Sequence, residues 1–163
     1  MIFLMKNVNS VVINERLNHV KEGVKNLKEF LKVSKENFLK NGKLIGAVKY
    51  EIIKTFEAIS SICSHIAVKK LGIKPNFYAE CFEILKKNKI LEEKLADNLI
   101  KMAKFRNLII HMYQKVNDEK VYEVVKNGIK DIEDFIKVIE EKFLKWKKKK
   151  LRKKLKIYFL KKR

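Results

Sequence analysis

Leu17, Val20, Val24, Leu27, Leu31 and Phe38 fall at intervals that keep apolar side chains on one face of a helix. They predict a first helix over residues 14–39, ended by Asn41-Gly42, a pair that tolerates the left-handed region. Ile45, Val48, Ile52, Phe56, Ile59, Ile62 and Ile66 form a second stripe. That stripe predicts a helix over 43–71, closed by Gly72 and Pro75. A shorter helix over 77–87 turns at Asn88-Lys89-Ile90 into a fourth over 92–114, with a stripe of Leu91, Leu95, Leu99, Met102 and Ile109. Asn117-Asp118 has the character of a cap for a fifth helix over 119–144, in which Gly128 is a weak point and not a stop. No internal repeat is visible. The pattern predicts an all-α bundle of four or five helices.

Composition agrees with this. One proline and five glycines in 163 residues leave too few turn residues for a β-sandwich or a doubly wound fold. The length fits one domain with a core large enough to need neither disulfides nor structural metals. Cys63 and Cys81 are the only cysteines and form no C-x-x-C pair, so they read as reduced, buried small hydrophobes. No apolar run approaches the ~18–20 residues of a membrane span, and the opening Met-Ile-Phe-Leu-Met is too short for a secretory signal. A cytoplasmic protein without stable membrane insertion is expected.

Charge divides the chain in two. Residues 145–163 hold twelve basic side chains and no acidic one, out of a net charge of +20. A helical domain over 1–144 followed by a basic tail over 145–163 points to a polyanionic partner, nucleic acid being the commonest. A lysine-rich solvated surface fits the same count. In the tail, Trp146, Leu151, Leu155, Tyr158 and Phe159 would extend a helical stripe. Lys147, Lys148, Lys149, Lys150, Arg152, Lys153 and Lys154 are then candidates for RNA binding. The same helix would also suit a partner subunit or an anionic membrane surface, and a frayed, solvated end is a further reading.

Most catalytic devices are missing. There is no G-x-x-x-x-G-K-[ST] or G-x-G-x-x-G loop to cradle phosphates, no H-E-x-x-H and no Cys/His cluster for zinc. His19 lies among charged residues and reads as a surface histidine. The unusual segment runs from Phe105 to Tyr113. Arg106 occupies the stripe position between Met102 and Ile109, where leucine is expected, and must lose hydration unless an anion or hydrogen-bond acceptor meets it. A buried ion pair satisfies that condition as well as a bound phosphate does. Arg106 and His111 are about 140° apart around a helix, so one phosphate meets both only in a wrapped groove or at the seam of a symmetric dimer. Asn107, one turn before His111, is placed to hold its ring. On the second helix Glu57, Ser61 and His65 share one face and are expected to line the same groove. For His65 the competing reading is a polar rim on a surface helix.

Arg106-Asn107-Leu108-Ile109-Ile110-His111-Met112-Tyr113 resembles the R-x-x-x-x-H-x-Y motif of the HepT-like toxins, small helical ribonucleases of the HEPN superfamily. The likeness extends to Glu57–Ala67, to Asn76–Leu85, to the approach Met102-Ala103-Lys104-Phe105, and to Val116-Asn117-Asp118 with Val121-Tyr122, about residues 14–143 in all. It implies an all-α HEPN bundle that dimerises with two motifs at the interface and cleaves RNA without metal or other cofactor. His111 would handle protons and Arg106 would stabilise the charged phosphorus centre. Tyr113 matches the tyrosine that an MntA-type nucleotidyltransferase antitoxin AMPylates. Its place two turns past Arg106 is expected to put both side chains on one side of the helix, and AMP there would repel RNA. The family often has an acid where this chain has Ser61 and an aspartate where it has Met112. The alternative is a catalytically silent HEPN module that binds nucleotide or RNA.

Overall fold

The computed structural model describes residues 8–145 together with Arg152, Ile157 and Leu160. Its elements are α1 (Ser10–Phe30), α2 (Lys35–Leu39), α3 (Gly42–Ile66), α4 (Tyr78–Lys87), α5 (Glu93–His111) and α6 (Asp118–Ile139). π-helical turns extend α3 over Ala67–Leu71 and α6 over Glu140–Lys145. The expected all-α architecture is met, with no strand among the described residues.

Side-chain caps set most of the starts. The Asn9 carboxamide oxygen accepts from the Val11 and Val12 N–H groups, so α1 begins before residue 14. Asn41 caps α3 through the Leu44 N–H at 3.0 Å, and Asn117 caps α6 through Glu119 and Lys120. Each supplies an acceptor to N–H groups that have no partner within the helix. The predicted first helix is in fact two. The chain leaves the helix after Phe30, and Ser34 Oγ accepts from the Asn37 N–H at 3.2 Å to start α2. That short helix folds back to bury Phe38 against Tyr122, ring centroids 5.3 Å apart. Gly72, at φ +70°, closes the turn after α3 in the left-handed region that glycine adopts without strain.

The long helix α3 is the axis of the fold. It packs chiefly on α1, while α4 packs on α5, and α6 lies against both α1 and α5. Two apolar cores result. One joins Leu17, Val20, Ile59, Ile62, Phe82, Leu99 and Phe135; the other, at the opposite end of α3, joins Leu27, Phe38, Val48, Ile52, Phe105, Ile109 and Tyr122. Between α1 and α3, a Cβ added at Gly23 would lie 2.0 Å from Thr55 Oγ1, so that crossing depends on the missing side chain. Cys63 and Cys81 are buried and free, as expected.

Candidate active site

Arg106 lies on α5 where Phe105 and Ile109 anchor the helix in the second core. Its side chain is 13% exposed and is ion-paired with Glu57 on α3. A second terminal nitrogen donates to the Asn107 side-chain oxygen at 3.0 Å. The Tyr78 ring, from the first turn of α4, lies 4.9 Å from the guanidinium carbon, and the Tyr78 hydroxyl donates to Glu57 at 2.8 Å. Three helices thus converge on one cation, while its Nε is buried without a hydrogen-bond partner. Burial pulls the guanidinium pKa below its ordinary value, and the group remains charged.

The predicted polar line on α3 divides between two sites. Glu57 meets Arg106, as the shared-groove expectation requires. Ser61 offers its backbone carbonyl to the Arg16 guanidinium of α1 at 3.0 Å. His65 turns toward the start of α1, where its Nε2 accepts the Asn9 N–H at 3.1 Å. Burial, then the charges of Arg16 and Lys69, hold its pKa below the usual histidine value. The structure therefore places His65 as an anchor for α1 and not beside Arg106, because accepting an N–H takes the ring to the end of the bundle.

Asn107 also differs from expectation: its side-chain oxygen is held by Arg106 instead of the His111 ring. His111 is exposed in the last turn of α5. Leu108, Ile110 and Met112 around it are exposed as well. The helix ends at His111, short of residue 114, and Met112 leaves helical geometry at φ −134° and ψ 38°. Tyr113 consequently sits in a separate 3-10 turn, Tyr113–Lys115, and does not continue the face of α5 that presents Arg106.

Lys49 holds that turn. This nearly buried lysine of α3 donates to the Tyr113 carbonyl at 3.3 Å, lies 4.7 Å from the centre of the Tyr113 ring and pairs with Asp118 at 2.9 Å. A Cβ added at Gly46 would meet the Tyr113 hydroxyl at 3.4 Å, so the phenol runs along α3. Sequence reasoning gave no role to Lys49 or Tyr78. For Lys49 a signal existed, since it lies four residues after Ile45 and three before Ile52, inside the apolar face. Tyr78 carried none, because its partners come from two other helices.

Of the tail candidates only Arg152 falls within the described residues, and it is exposed. Lys147, Lys148, Lys149, Lys150, Lys153 and Lys154 lie outside them. Among the described residues no three His, Cys, Asp or Glu side chains converge as a metal site would require, and no helix is long and apolar enough to cross a membrane.

Residues 20–139 match the model of the family "Ribonuclease HepT-like". The chain belongs to the HepT-like ribonucleases. Among relatives of this HepT-like chain is the mRNA nuclease HepT of Shewanella oneidensis, 31% identical over 134 residues, covering 82% of this chain and 98% of that protein. The tri-AMPylated HEPN toxin of Shewanella oneidensis, solved in complex with the MNT antitoxin, superposes with a TM-score of 0.76 at 28% identity. It covers 82% of this chain and 99% of its own. A toxin–antitoxin crystal structure with AMP-PNP contains a chain with a TM-score of 0.74 at 27% identity, covering 80% of this chain and 98% of its own.

Proposed function

We propose that this HepT-like chain is the ribonuclease toxin of a toxin–antitoxin pair, cleaving RNA at Arg106 and His111 and silenced by an MntA-type nucleotidyltransferase that transfers AMP to Tyr113. The observation that carries the reading is Arg106 itself, a largely buried cation assembled by three helices and five residues from an exposed histidine. A planar guanidinium suits the oxygens of a phosphodiester, which enters by taking the place of Glu57 or Asn107 on the terminal nitrogens. His111 accepts the proton of the ribose 2′-OH as that oxygen forms its bond to phosphorus. The P–O5′ bond breaks, Arg106 balances the negative charge on phosphorus, and a 2′,3′-cyclic phosphate is left.

Proton transfer to the leaving 5′-oxygen calls for a second donor. A symmetric homodimer meets that need by bringing two His111 side chains to one seam, and the exposed Leu108, Ile110 and Met112 beside His111 support such a contact. The site residues contain all the chemistry this scheme uses, so metal is not required. AMP on Tyr113 would place bulk and negative charge beside His111. Both toxin and antitoxin would act in the cytoplasm.

The test is incubation of single-stranded RNA with the purified protein in EDTA, followed by end-group analysis. Cleavage leaving 2′,3′-cyclic phosphate is expected; cleavage only after Mg²⁺ is added would overturn the metal-free scheme. Co-expression with the cognate nucleotidyltransferase should add AMP mass to the peptide holding Tyr113, and modification elsewhere would overturn that assignment.

A further inference from the structure

Phe77 immediately precedes the tyrosine that lies against Arg106, yet its own ring is 65% exposed and belongs to neither core. An exposed aromatic alone needs no explanation. This one is fixed at the start of α4, in extended backbone at φ −151° and ψ 164°, so Tyr78 turns in to Glu57 and Arg106 while Phe77 faces solvent. Arg16 of α1 reaches α3 at the Ser61 carbonyl, one helical turn along from Glu57. It is half-buried, held by a single hydrogen bond to the Ser61 carbonyl, and has no carboxylate partner among the described residues. Ser61 lies about 6 Å beyond Glu57 along the α3 axis, so Arg16 and Arg106 meet α3 one turn apart.

We propose that Phe77 and Arg16 form a nucleotide subsite flanking Arg106, in which a base of single-stranded RNA stacks on Phe77 and a neighbouring phosphate is held by Arg16. The inference rests on the ribonuclease reading for its substrate. Unpaired RNA bases are commonly bound by stacking on aromatic rings, which tolerates any base, and the backbone is bound by arginine and lysine. Such a subsite gives a single-strand preference without a base sequence, and it fixes the register in which a phosphate reaches Arg106.

The experiment measures binding of a fluorescent single-stranded oligoribonucleotide, made uncleavable by 2′-O-methylation, and of copies with one abasic position each. One abasic position should weaken binding to the wild-type protein about tenfold, the scale of one lost stack. Phe77→Ala should lose the same on the intact strand and nothing further on that abasic strand, since the two changes remove one contact. Phe77→Trp should restore binding. Arg16→Gln should lower the log–log salt slope by about 0.7, which Phe77→Ala should leave unchanged. Wild-type affinity in Phe77→Ala and Arg16→Gln would overturn the proposal. So would an equal loss on every abasic strand, or a changed oligomeric state in either variant, which would mark the residues as interface. Cleavage of unmodified RNA by wild type, run in parallel, tests the underlying reading separately. Absent cleavage with Phe77-dependent binding would leave the subsite standing and remove the ribonuclease.

Discussion

Arg106 takes a place where the repeat of α5 calls for leucine, and its neighbours offset the lost hydration with an ion pair, a hydrogen bond and an aromatic face. Its position on the apolar stripe made the burial legible from sequence. Its partners were only half legible: Glu57 was placed in the groove by helical spacing, whereas Tyr78 depends on how α4 meets α3. His65 was less legible still, because a polar line on a helix does not tell which neighbour each member will face. Its environment makes a pH prediction. With the folded pKa below that of the unfolded chain, the unfolded state binds the proton more readily. The stabilisation is therefore complete above the unfolded value of about 6.5 and is lost as pH falls through the folded value. Urea denaturation at pH 7.5 and pH 5.0 should show a smaller drop for His65→Gln than for wild type. Equal drops would contradict the role.

At the scale of elements, the stripes of α3 and α5 were readable because each helix buries one face, and Gly72 and Asn117 marked the close of α3 and the start of α6 by backbone chemistry. The break after Phe30 was not, since Leu31 and Phe38 both prolong the apolar repeat and only the Ser34 cap betrays it. The end of α5 is a tertiary effect: Lys49 reaches from α3 to the Tyr113 carbonyl and so helps fix where helix gives way to turn. Lys49→Met preserves volume but removes that charged donor from Tyr113 and Asp118. It should cost about 2 kcal/mol of stability by chemical denaturation and lower kcat on RNA several-fold through the displaced end of α5. Unchanged stability and kcat would show that α5 ends there for other reasons.

Across the whole molecule, the all-α architecture followed from periodicity and the scarcity of glycine and proline, both properties of the chain alone. The Arg106–His111 spacing was equally visible, but the division of the α3 polar line between two sites depends on packing between helices. Arg106 is turned toward α3 and α4, while His111 is exposed at the end of α5 among apolar side chains that the described residues leave uncovered. A second copy seated on that end gives them a partner. Light scattering at micromolar concentration should therefore report a dimer, and Ile110→Asp should convert it to monomer with its helicity kept. A wild-type monomer that still cleaves RNA would contradict assembly at the seam.

The most direct test of the central claim is the RNA-cleavage rate in EDTA of Arg106→Ala and His111→Ala beside wild type, with circular dichroism confirming that each variant is folded. Loss of at least 10²-fold in both is expected, the scale set by removing a proton-transfer group or a stabiliser of developing charge. Wild-type rates in either folded variant would contradict the account.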